Sequence, residues 1–529
     1  MEIIPKDIKF ILEKLEKAGF EAFLVGGCVR DLILENPPTN GPKDWDIATN
    51  ARPEQIQKVF PDSLYENKFG TVTVLIRNNS NNNDTAEVDC ANPPLGAENA
   101  EKSSKKQIQE IQITTYRTEQ NYSDRRHPDK VEFADTLEED LSRRDFTMNA
   151  IALKSEISLP LAPSLLKRGE KFPISQFSES IIDPFNGQKD IKNKIIRAVG
   201  NPNERFSEDA LRMMRAVRFS CQLDFQIEEK TKQAIKENAR LLTHISNERI
   251  RDELAKIILS DKPAEGIETL QELNLLKFIV PELEIGIGVA QNRHHIYTIY
   301  QHSILSLKYC PSKKLEVRLA ALLHDIAKPQ TKQGEGATST FYNHDYLGAK
   351  FTKKILQNLK FSNETIEKTS LLVRNHMFFY NVGEVSEAGV RRLVKKIGKE
   401  NVRDLINLRI ADRLGSGVPK AKPYKLRHLE YMIEKVSKDP ISLKMLKIDG
   451  NGIMKLLDIQ PGPKIGSILD VLFSEVLDDP EKNTSEYLEK RAKEISALDL
   501  LELRKLAKEK IEERKEEENE TIRRKHWIK

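Results

Sequence analysis

Long apolar runs are missing from this sequence. Nothing in its 529 residues approaches the roughly 18–20 consecutive apolar positions that a membrane span needs. The start, MEIIPKDIKF, is mixed in charge and lacks the apolar stretch of a signal peptide. A cytoplasmic protein with no membrane partner is therefore expected, and nothing points to an obligate protein partner. Cysteine is scarce: Cys28, Cys90, Cys221 and Cys310 lie far apart with no C-x-x-C pair, which points to reduced thiols. Excess charge is also missing. A net +4 is too small to argue for nucleic acid by itself, so any RNA-binding residues must be clustered on one surface. Charged residues at 31% and hydrophobic ones at 39% give the balance of a soluble protein, and 529 residues are too many for one core. Residues 78–107, with NNSNNND near their start, lack the apolar content to build a core and read as a mobile hairpin insertion.

What is present is organised around residues 23–49, FLVGGCVRDLILENPPTNGPKDWDIAT. Phe23-Leu24-Val25 reads as a strand ending at Gly26-Gly27, where the chain turns tightly or approaches a ligand. Val29 to Leu34 follow helical spacing with Arg30 in the first turn, and Pro37-Pro38 breaks the pattern. In Asp44-Trp45-Asp46, strand alternation puts both carboxylates on one face and Trp45 on the other. An isolated D-x-D is an ordinary solvated strand end. Beside a Gly-Gly turn and an arginine, two hard carboxylates suit Mg²⁺ holding a triphosphate.

Taken in order, GGCVRD, KDWDIAT, ARPEQIQKVF, RRDFTMNAIA, RFSEDALRMMRAVRF and ERIRDEL resemble the bacterial tRNA nucleotidyltransferase/poly(A) polymerase family, best known for CCA-adding enzymes. The likeness runs from about residue 20 to 255, and a likeness to members with an HD domain continues to about 490. It implies an α/β (α+β) head with a small mixed sheet, followed by a mostly helical neck, HD body and tail. The corresponding boundaries are 1–153 for the head, 154–262 for the neck, 263–415 for the HD domain, 416–500 for a tRNA-binding tail and 501–529 for a charged C-terminal helix.

The resemblance also implies roles. Asp44 and Asp46 hold Mg²⁺; Gly26, Gly27 and Arg30 cradle the triphosphate; Arg144, Asp145 and Asn149 hold ribose and phosphates. In that segment RRDFTMNA reads as the opening of a helix that Asp145 could equally cap. Family members carry an acidic residue where Gln112 stands; Glu110 lies two positions earlier on the same strand face, and two carboxylates are expected to suffice. Residues 118–140 match the family's flexible loop, which is shortened in members that add only CC. IIDPFNGQKDIKNKIIRAVG reads as strand–turn–strand, and 206–219 as one helix with Ser207 as its N-cap. On that helix Asp209 and Arg212, spaced i, i+3, share a face. A carboxylate accepts from the exocyclic amino group of C or A while a guanidinium donates to the adjacent ring nitrogen; G and U present the opposite pattern. Without the family context the pair is an ordinary surface ion pair. Arg215 and Arg218 continue the basic face toward phosphates, and the ERIRDEL helix reads as structural.

Six of ten histidines, residues 294, 295, 302, 324, 344 and 376, fall between 290 and 380. His302, His324-Asp325 in LLHDIAKP, and Asp412 in RIADRL resemble the HD metal-dependent phosphohydrolase pattern, with His344 and His376 as further ligands or phosphate contacts. Imidazole with carboxylate suits a divalent transition metal such as Ni²⁺, Mn²⁺ or Zn²⁺. His294 and His295 face the site or cap. Residues 485–525 read as one long, solvated, charged helix.

The reading that follows is template-independent addition or repair of the tRNA 3′-CCA from CTP and ATP. An A-adding enzyme or a poly(A) polymerase keeps the same chemistry. An HD phosphohydrolase with an inactive head, or a non-catalytic tRNA-binding protein, is the remote alternative.

Overall fold

The computed structural model describes residues 4–34, 42, 44–65, 70–77, 108–120, 130–154, 180–292, 296–417, 420–437 and 446–528. The 78–107 insertion, the Pro37-Pro38 break, residues 121–129 of the expected loop, and His294 with His295 lie outside them. Among the described residues no helix is long and apolar enough to cross a membrane.

The first helix, α1 (Lys6–Lys17), buries Ile8, Ile11, Leu12 and Leu15 at the expected spacing. It leads into β1 (Ala22–Val25), buried throughout, then Gly26 and α2 (Gly27–Ile33). There follow β2 (Asp46–Thr49), α3 (Pro53–Val59), β3 (Thr71–Arg77), β4 (Ile108–Thr115), the paired β5 (Arg117–Gln120) and β6 (Lys130–Phe133), α4 (Leu137–Ser142) and β7 (Ala152–Lys154). With β8 (Ile181–Ile182) these make a six-stranded sheet ordered β3-β4-β2-β1-β7-β8. Only β2 and β4 run parallel, so the sheet is mixed. The register sets Val25 opposite Asp46, which brings the Gly26 turn and the carboxylates to one end of the sheet.

Several local readings change. Strand β2 begins at Asp46, and Asp44 precedes it; alternation still holds, with Trp45 buried and Asp44 exposed. RRDFTMNA forms a 3-10 turn, Thr147–Asn149, and no α-helix opens there. The Asp145 carboxylate accepts from the next amide, Phe146 N (2.9 Å), which bends the chain locally. The stretch 181–200 is not a hairpin. Asp183 accepts from the amides of Gly187 and Gln188 and so starts a helix, α5 (Gly187–Lys192). The next strand, β9 (Ile195–Ile196), pairs in parallel with β10 (Gln226–Ile227), which gives the otherwise helical neck a small sheet.

The segment 206–219 is not one helix either. It divides into α6 (Pro202–Glu208), capped by Asn201, and α7 (Leu211–Leu223). Asp209 between them is extended (φ −137°, ψ 102°), and its carboxylate accepts from Leu211 N at 3.1 Å, opening the second helix. Ser207 is no N-cap; its hydroxyl bonds back to the carbonyls of Asn203 and Glu204. The neck continues through α8 (Glu229–Asn238) and α9 (Asn247–Leu259).

Helices at 263–272, 299–308, 315–323, 344–358, 363–375, 387–397, 402–415 and 424–437 build the body. The tail contributes 450–457, 463–478, 485–495 and 500–525. One hydrophobic cluster runs from Ile4 to Ile366, tying head, neck and the first body helices together, whereas the tail has its own cluster from Leu446 to Leu503. The charged C-terminal segment is two helices separated by a capping box at Asp499 and Glu502. Its last helix is solvated on most of its described positions, as expected, but is docked at both ends: Leu503 and Ile522 are buried, and Lys525 and His526 pair with Glu434 at 2.9 and 2.8 Å.

Helix α5 is seated directly on the 147–149 turn. A Cβ added at Gly187 would lie 2.2 Å from the Thr147 carbonyl oxygen and 2.8 Å from Ile151 Cγ1. Asp190, buried beneath, accepts from Thr147 Oγ1 at 2.7 Å and Arg197 Nε at 3.0 Å. Gly187→Ala should therefore destabilise the protein by about 1–3 kcal/mol through overpacking. Urea unfolding of the two proteins measures this; an unchanged midpoint would show that the contact relaxes freely.

Candidate active sites

A cleft of about 1820 Å³ opens between head and neck. From the head it is lined by Gly26, Gly27, Arg30, Asp44, Asp46, Arg144, Asp145 and Asn149, and from the neck by Asp209, Arg212, Arg215 and Arg218. The twelve head and neck residues expected to hold metal or nucleotide thus line one space. Gly26 has φ +79°, and a Cβ there would stand 2.9 Å from Arg144 Nη1 and 3.6 Å from Asp46 Oδ2, so only glycine fits both the backbone and the space.

Burial raises the Asp46 carboxyl above its ordinary value; Arg144 opposes this and the nearby Asp44 adds to it. A half-buried carboxylate with a second one two residues away, beside a glycine turn, is the donor set a hard divalent cation requires, so the residues fit Mg²⁺. Gln112 stands opposite Asp46 across the parallel pair, with Glu110 two residues earlier on the same exposed face; neither lines the cleft.

Asp145 and Asn149 are buried and engaged with protein groups. Asp145 Oδ2 lies 2.7 Å from Arg215 Nε and 2.5 Å from Nη2, while Oδ1 accepts from Asn149 Nδ2 at 3.1 Å and Phe146 N at 2.9 Å. Asn149 Oδ1 in turn accepts from Arg30 Nη1 at 2.9 Å. Burial alone raises the Asp145 carboxyl, but the Arg215 charge and the hydrogen bonds from Asn149 and Arg215 bring it down to about 2. Arg144 is held by Asp140 at 3.1 Å and has its Nε buried without a hydrogen-bond partner.

The helix break separates Asp209 from Arg212. Arg249 Nη1 and Nη2 donate to the Asp209 carboxylate at 3.2 and 2.7 Å. Arg212 Nη1 bonds Glu208 Oε2 at 2.6 Å, and its Nη2 donates to the Arg143 carbonyl at 3.0 Å. Both residues still face the cleft, each fixed by a different neighbour and not by the other. Arg249 itself lines the cleft, although ERIRDEL reads as structural in sequence; its pairing across 40 residues leaves no periodic signal. Arg218 is committed to Glu253 at 3.0 Å and packs 4.3 Å over Phe219, so its charge is turned inward.

A second cluster lies in the body. His302 projects from helix 299–308, His324 and Asp325 from just beyond the end of helix 315–323, His344 from the start of 344–358, His376 from just beyond 363–375 and Asp412 from 402–415. All are buried. His302, His324 and Asp412 form one set of three donors within 4.8 Å of one another, and Asp325, His344 and His376 a second. Asp325 stands between the sets. Its Oδ2 is 3.2 and 3.3 Å from His302 and His324 Nε2, and its Oδ1 is 3.5 and 3.7 Å from His344 and His376 Nε2. Nδ1 of His324, His344 and His376 each donates to a backbone carbonyl three residues earlier, at 2.9, 2.6 and 2.7 Å. That fixes the tautomer and turns each Nε2 lone pair toward the cluster, the arrangement of metal-ligating imidazoles. Both Asp325 oxygens are buried without a well-formed hydrogen bond. Burial works to lower His302, yet Asp325 and Asp412 push it up to about 9; burial and then the charge of His324 pull His376 down to about 3. These residues fit a divalent transition metal.

The depressed Asp145 carboxyl carries a pH signature. Its folded value of about 2 lies below the ordinary 3.8, so it adds stability above pH ~4 that is lost as pH falls toward 2. Asp145→Asn should lower stability by about 2 kcal/mol near pH 6, with the gap from wild type closing between pH ~4 and ~2. Urea titrations at pH 6, 4 and 3 check this; a gap independent of pH would show that the carboxylate charge contributes nothing.

Known proteins resemble this chain along most of its length. The chain matches the poly A polymerase head domain over residues 22–109 and 94–197, the probable RNA- and SrmB-binding site of polymerase A over 224–285, and the HD domain over 293–416. It is 45% identical to a CCA-adding enzyme of Lactobacillus delbrueckii subsp. bulgaricus across 47% of this chain and 49% of that one, about half of each. It is 32% identical to the CCA-adding enzyme of Lactobacillus helveticus across 91% of this chain and 94% of that one, and 31% identical to that of Enterococcus faecalis across 92% and 95%. The structure of the Bacillus stearothermophilus CCA-adding enzyme in complex with CTP superposes with a TM-score of 0.51 at 25% identity, covering 92% and 96% of the two chains. With that sequence match along nearly the whole chain, and with the carboxylates, the neck and the HD cluster in place, the protein belongs to the CCA-adding enzymes, a family of tRNA nucleotidyltransferases.

Proposed function

We propose that this protein builds or repairs the 3′-terminal CCA of tRNA, adding nucleotides from CTP and ATP without a template. The observation that carries the reading is the shared cleft, whose lining includes Asp44 and Asp46 together with Asp209 and Arg212. Asp44 and Asp46 would hold Mg²⁺. Bound there, the ions supply activation of the primer's 3′-hydroxyl and neutralisation of the departing pyrophosphate.

The remaining work belongs to the chain's own groups. The Gly26-Gly27 turn lets the triphosphate approach the backbone, with Arg30 and Arg144 facing it from fixed positions. Asp145 and Asn149 act on the nucleotide at second hand, by fixing Arg215 and Arg30. Asp209, oriented by Arg249, accepts from the amino group of C or A, and Arg212 donates to the ring nitrogen beside it. The tail at 416–500 grips tRNA by shape and phosphate contacts.

The body is assigned a separate phosphohydrolase activity. His302, His324, Asp325, His344, His376 and Asp412 would hold divalent transition metal, which would supply polarisation of a phosphoester and activation of water. Lys328, whose Nζ is 2.6 Å from Asp325 Oδ2, balances carboxylate charge at the same place.

Incubating tRNA transcripts that end at the discriminator base, at C and at CC with each nucleoside triphosphate separately tests the whole reading. CTP incorporation on the first two and ATP incorporation on the third is expected; ATP incorporation alone would replace it with A-addition. Asp44→Ala or Asp46→Ala should cut addition on every primer below about a tenth of wild type while tRNA binding persists. His324→Ala combined with Asp325→Ala should remove bound transition metal and phosphohydrolase activity while CTP and ATP addition continues. Loss of addition in a folded double variant, judged by thermal melting, would show the two sites to be coupled.

A further inference from the structure

The cleft is larger than its nucleotide. Its volume of about 1820 Å³ exceeds the roughly 300–1,000 Å³ of a single small-molecule site, so it has room for a second guest. One wall is accounted for by neither the carboxylates nor the base-reading residues. Lys189 and Lys192 on α5 and Lys194 just after it line the same cleft, and all three are exposed.

Their electrostatic setting differs from that of the inner cations. Arg30, Arg144, Arg212 and Arg215 are each paired with a carboxylate: Asp31, Asp140, Glu208 and Asp145. Among the described residues, none of the three lysines makes an ion pair. The inner groups are fixed, largely neutralised and suited to shaping a site, while the lip presents exposed ammonium groups outside any ion pair, the nearest acidic influence being that of Asp224 on Lys194. The lip is also rigidly mounted. Gly187 abuts the Thr147 carbonyl, Asp183 caps the start of α5, and Asp190 is locked to Thr147 and Arg197. Lys189 and Lys192, spaced i, i+3, share a helix face, and Lys194 leaves the helix in the left-handed region at φ +56°.

We propose that Lys189, Lys192 and Lys194 form an RNA-gripping lip that holds backbone phosphates of the primer strand where its 3′ end enters the cleft. The reading rests on the proposed function, because the carboxylates in the same cleft define where that end must arrive. Ammonium groups on flexible stems suit backbone phosphates, which carry charge but no sequence information. A primer whose last nucleotide changes from the discriminator base to C and then to CC needs a grip of that indifferent kind. Exposed charge outside any ion pair suits a polyanion lying across it better than a triphosphate held inside.

The test is the triple variant Lys189→Glu, Lys192→Glu, Lys194→Glu, with the corresponding triple glutamine variant beside it. A tRNA transcript ending in C is titrated with each protein across roughly 50–200 mM salt, and CTP is titrated without RNA. Affinity for tRNA should fall roughly tenfold or more, and the slope of log K against log salt should shrink by roughly two to three, about one per lost phosphate contact. Affinity for CTP should stay within about twofold, since these contacts serve the RNA. If either folded variant keeps wild-type tRNA affinity and salt slope, the lip is overturned. A parallel fall in CTP affinity also overturns it, by placing the lysines on the triphosphate. Thermal melting shows whether the glutamate variant folds, and if it does not the glutamine variant decides. A wild-type protein that binds tRNA but adds no nucleotide would refute the proposed function and leave this comparison decisive. One that does not bind tRNA would refute both.

Discussion

The carboxylate of Asp145 is the interaction on which the head–neck arrangement depends. Its two oxygens join Arg215 of the neck to Asn149 of the head, and Asn149 passes the connection to Arg30 on the first helix after the glycine turn. A buried carboxylate with this many donors is costly to desolvate and costly to leave unmatched, so the three partners have little freedom relative to one another. Phe219 completes the junction: its ring has the guanidinium groups of Arg30, Arg215 and Arg218 at 5.2, 5.4 and 4.3 Å and meets Phe146 edge-on. The cleft therefore has fixed walls where head and neck meet, and the cations facing it are held from behind.

The break between the two neck helices has a related consequence. A continuous helix would have placed Asp209 and Arg212 one turn apart and let them neutralise each other. Extended backbone at Asp209 prevents that pairing. Arg249 takes the aspartate and Glu208 takes the arginine, so donor and acceptor stand as separate groups on one wall. The base-reading role proposed for this pair requires that it not satisfy itself, and the interrupted helix keeps the two side chains apart.

The histidine cluster follows a different logic. It is built by five body helices around buried donors, with backbone carbonyls orienting three imidazoles from outside. Four imidazoles and two carboxylates at this depth cannot all keep their ordinary protonation states. The opposite displacements of His302 and His376 express that conflict. Metal coordination would resolve it, since ligands of that kind enter as neutral imidazole and carboxylate.

The sequence by itself determined the parts of this protein that depend on local spacing. The amphipathic α1, the Gly26-Gly27 turn, the alternation at Asp44-Trp45-Asp46 and the His324-Asp325 pair could all be read there, because periodicity and turn chemistry act within a few residues. The assembly of Asp44, Asp46, Arg30, Arg144, Arg215 and Arg212 into one site was legible only through ordered motifs shared with a family. Tertiary structure alone decided what depends on distant partners. Arg249 became a cleft residue because Asp209 lies beside it in space, 40 positions away. Asp145 and Asn149 line the cleft and are also tied into a network with Arg215 and Arg30, partners 70 and 119 positions away. The GQKDIK stretch became a helix seated on the 147–149 turn because Asp183 caps it and Gly187 leaves room for a carbonyl. Such pairings carry no period along the chain; they exist only once the backbone has brought buried charges and close-packed atoms within reach.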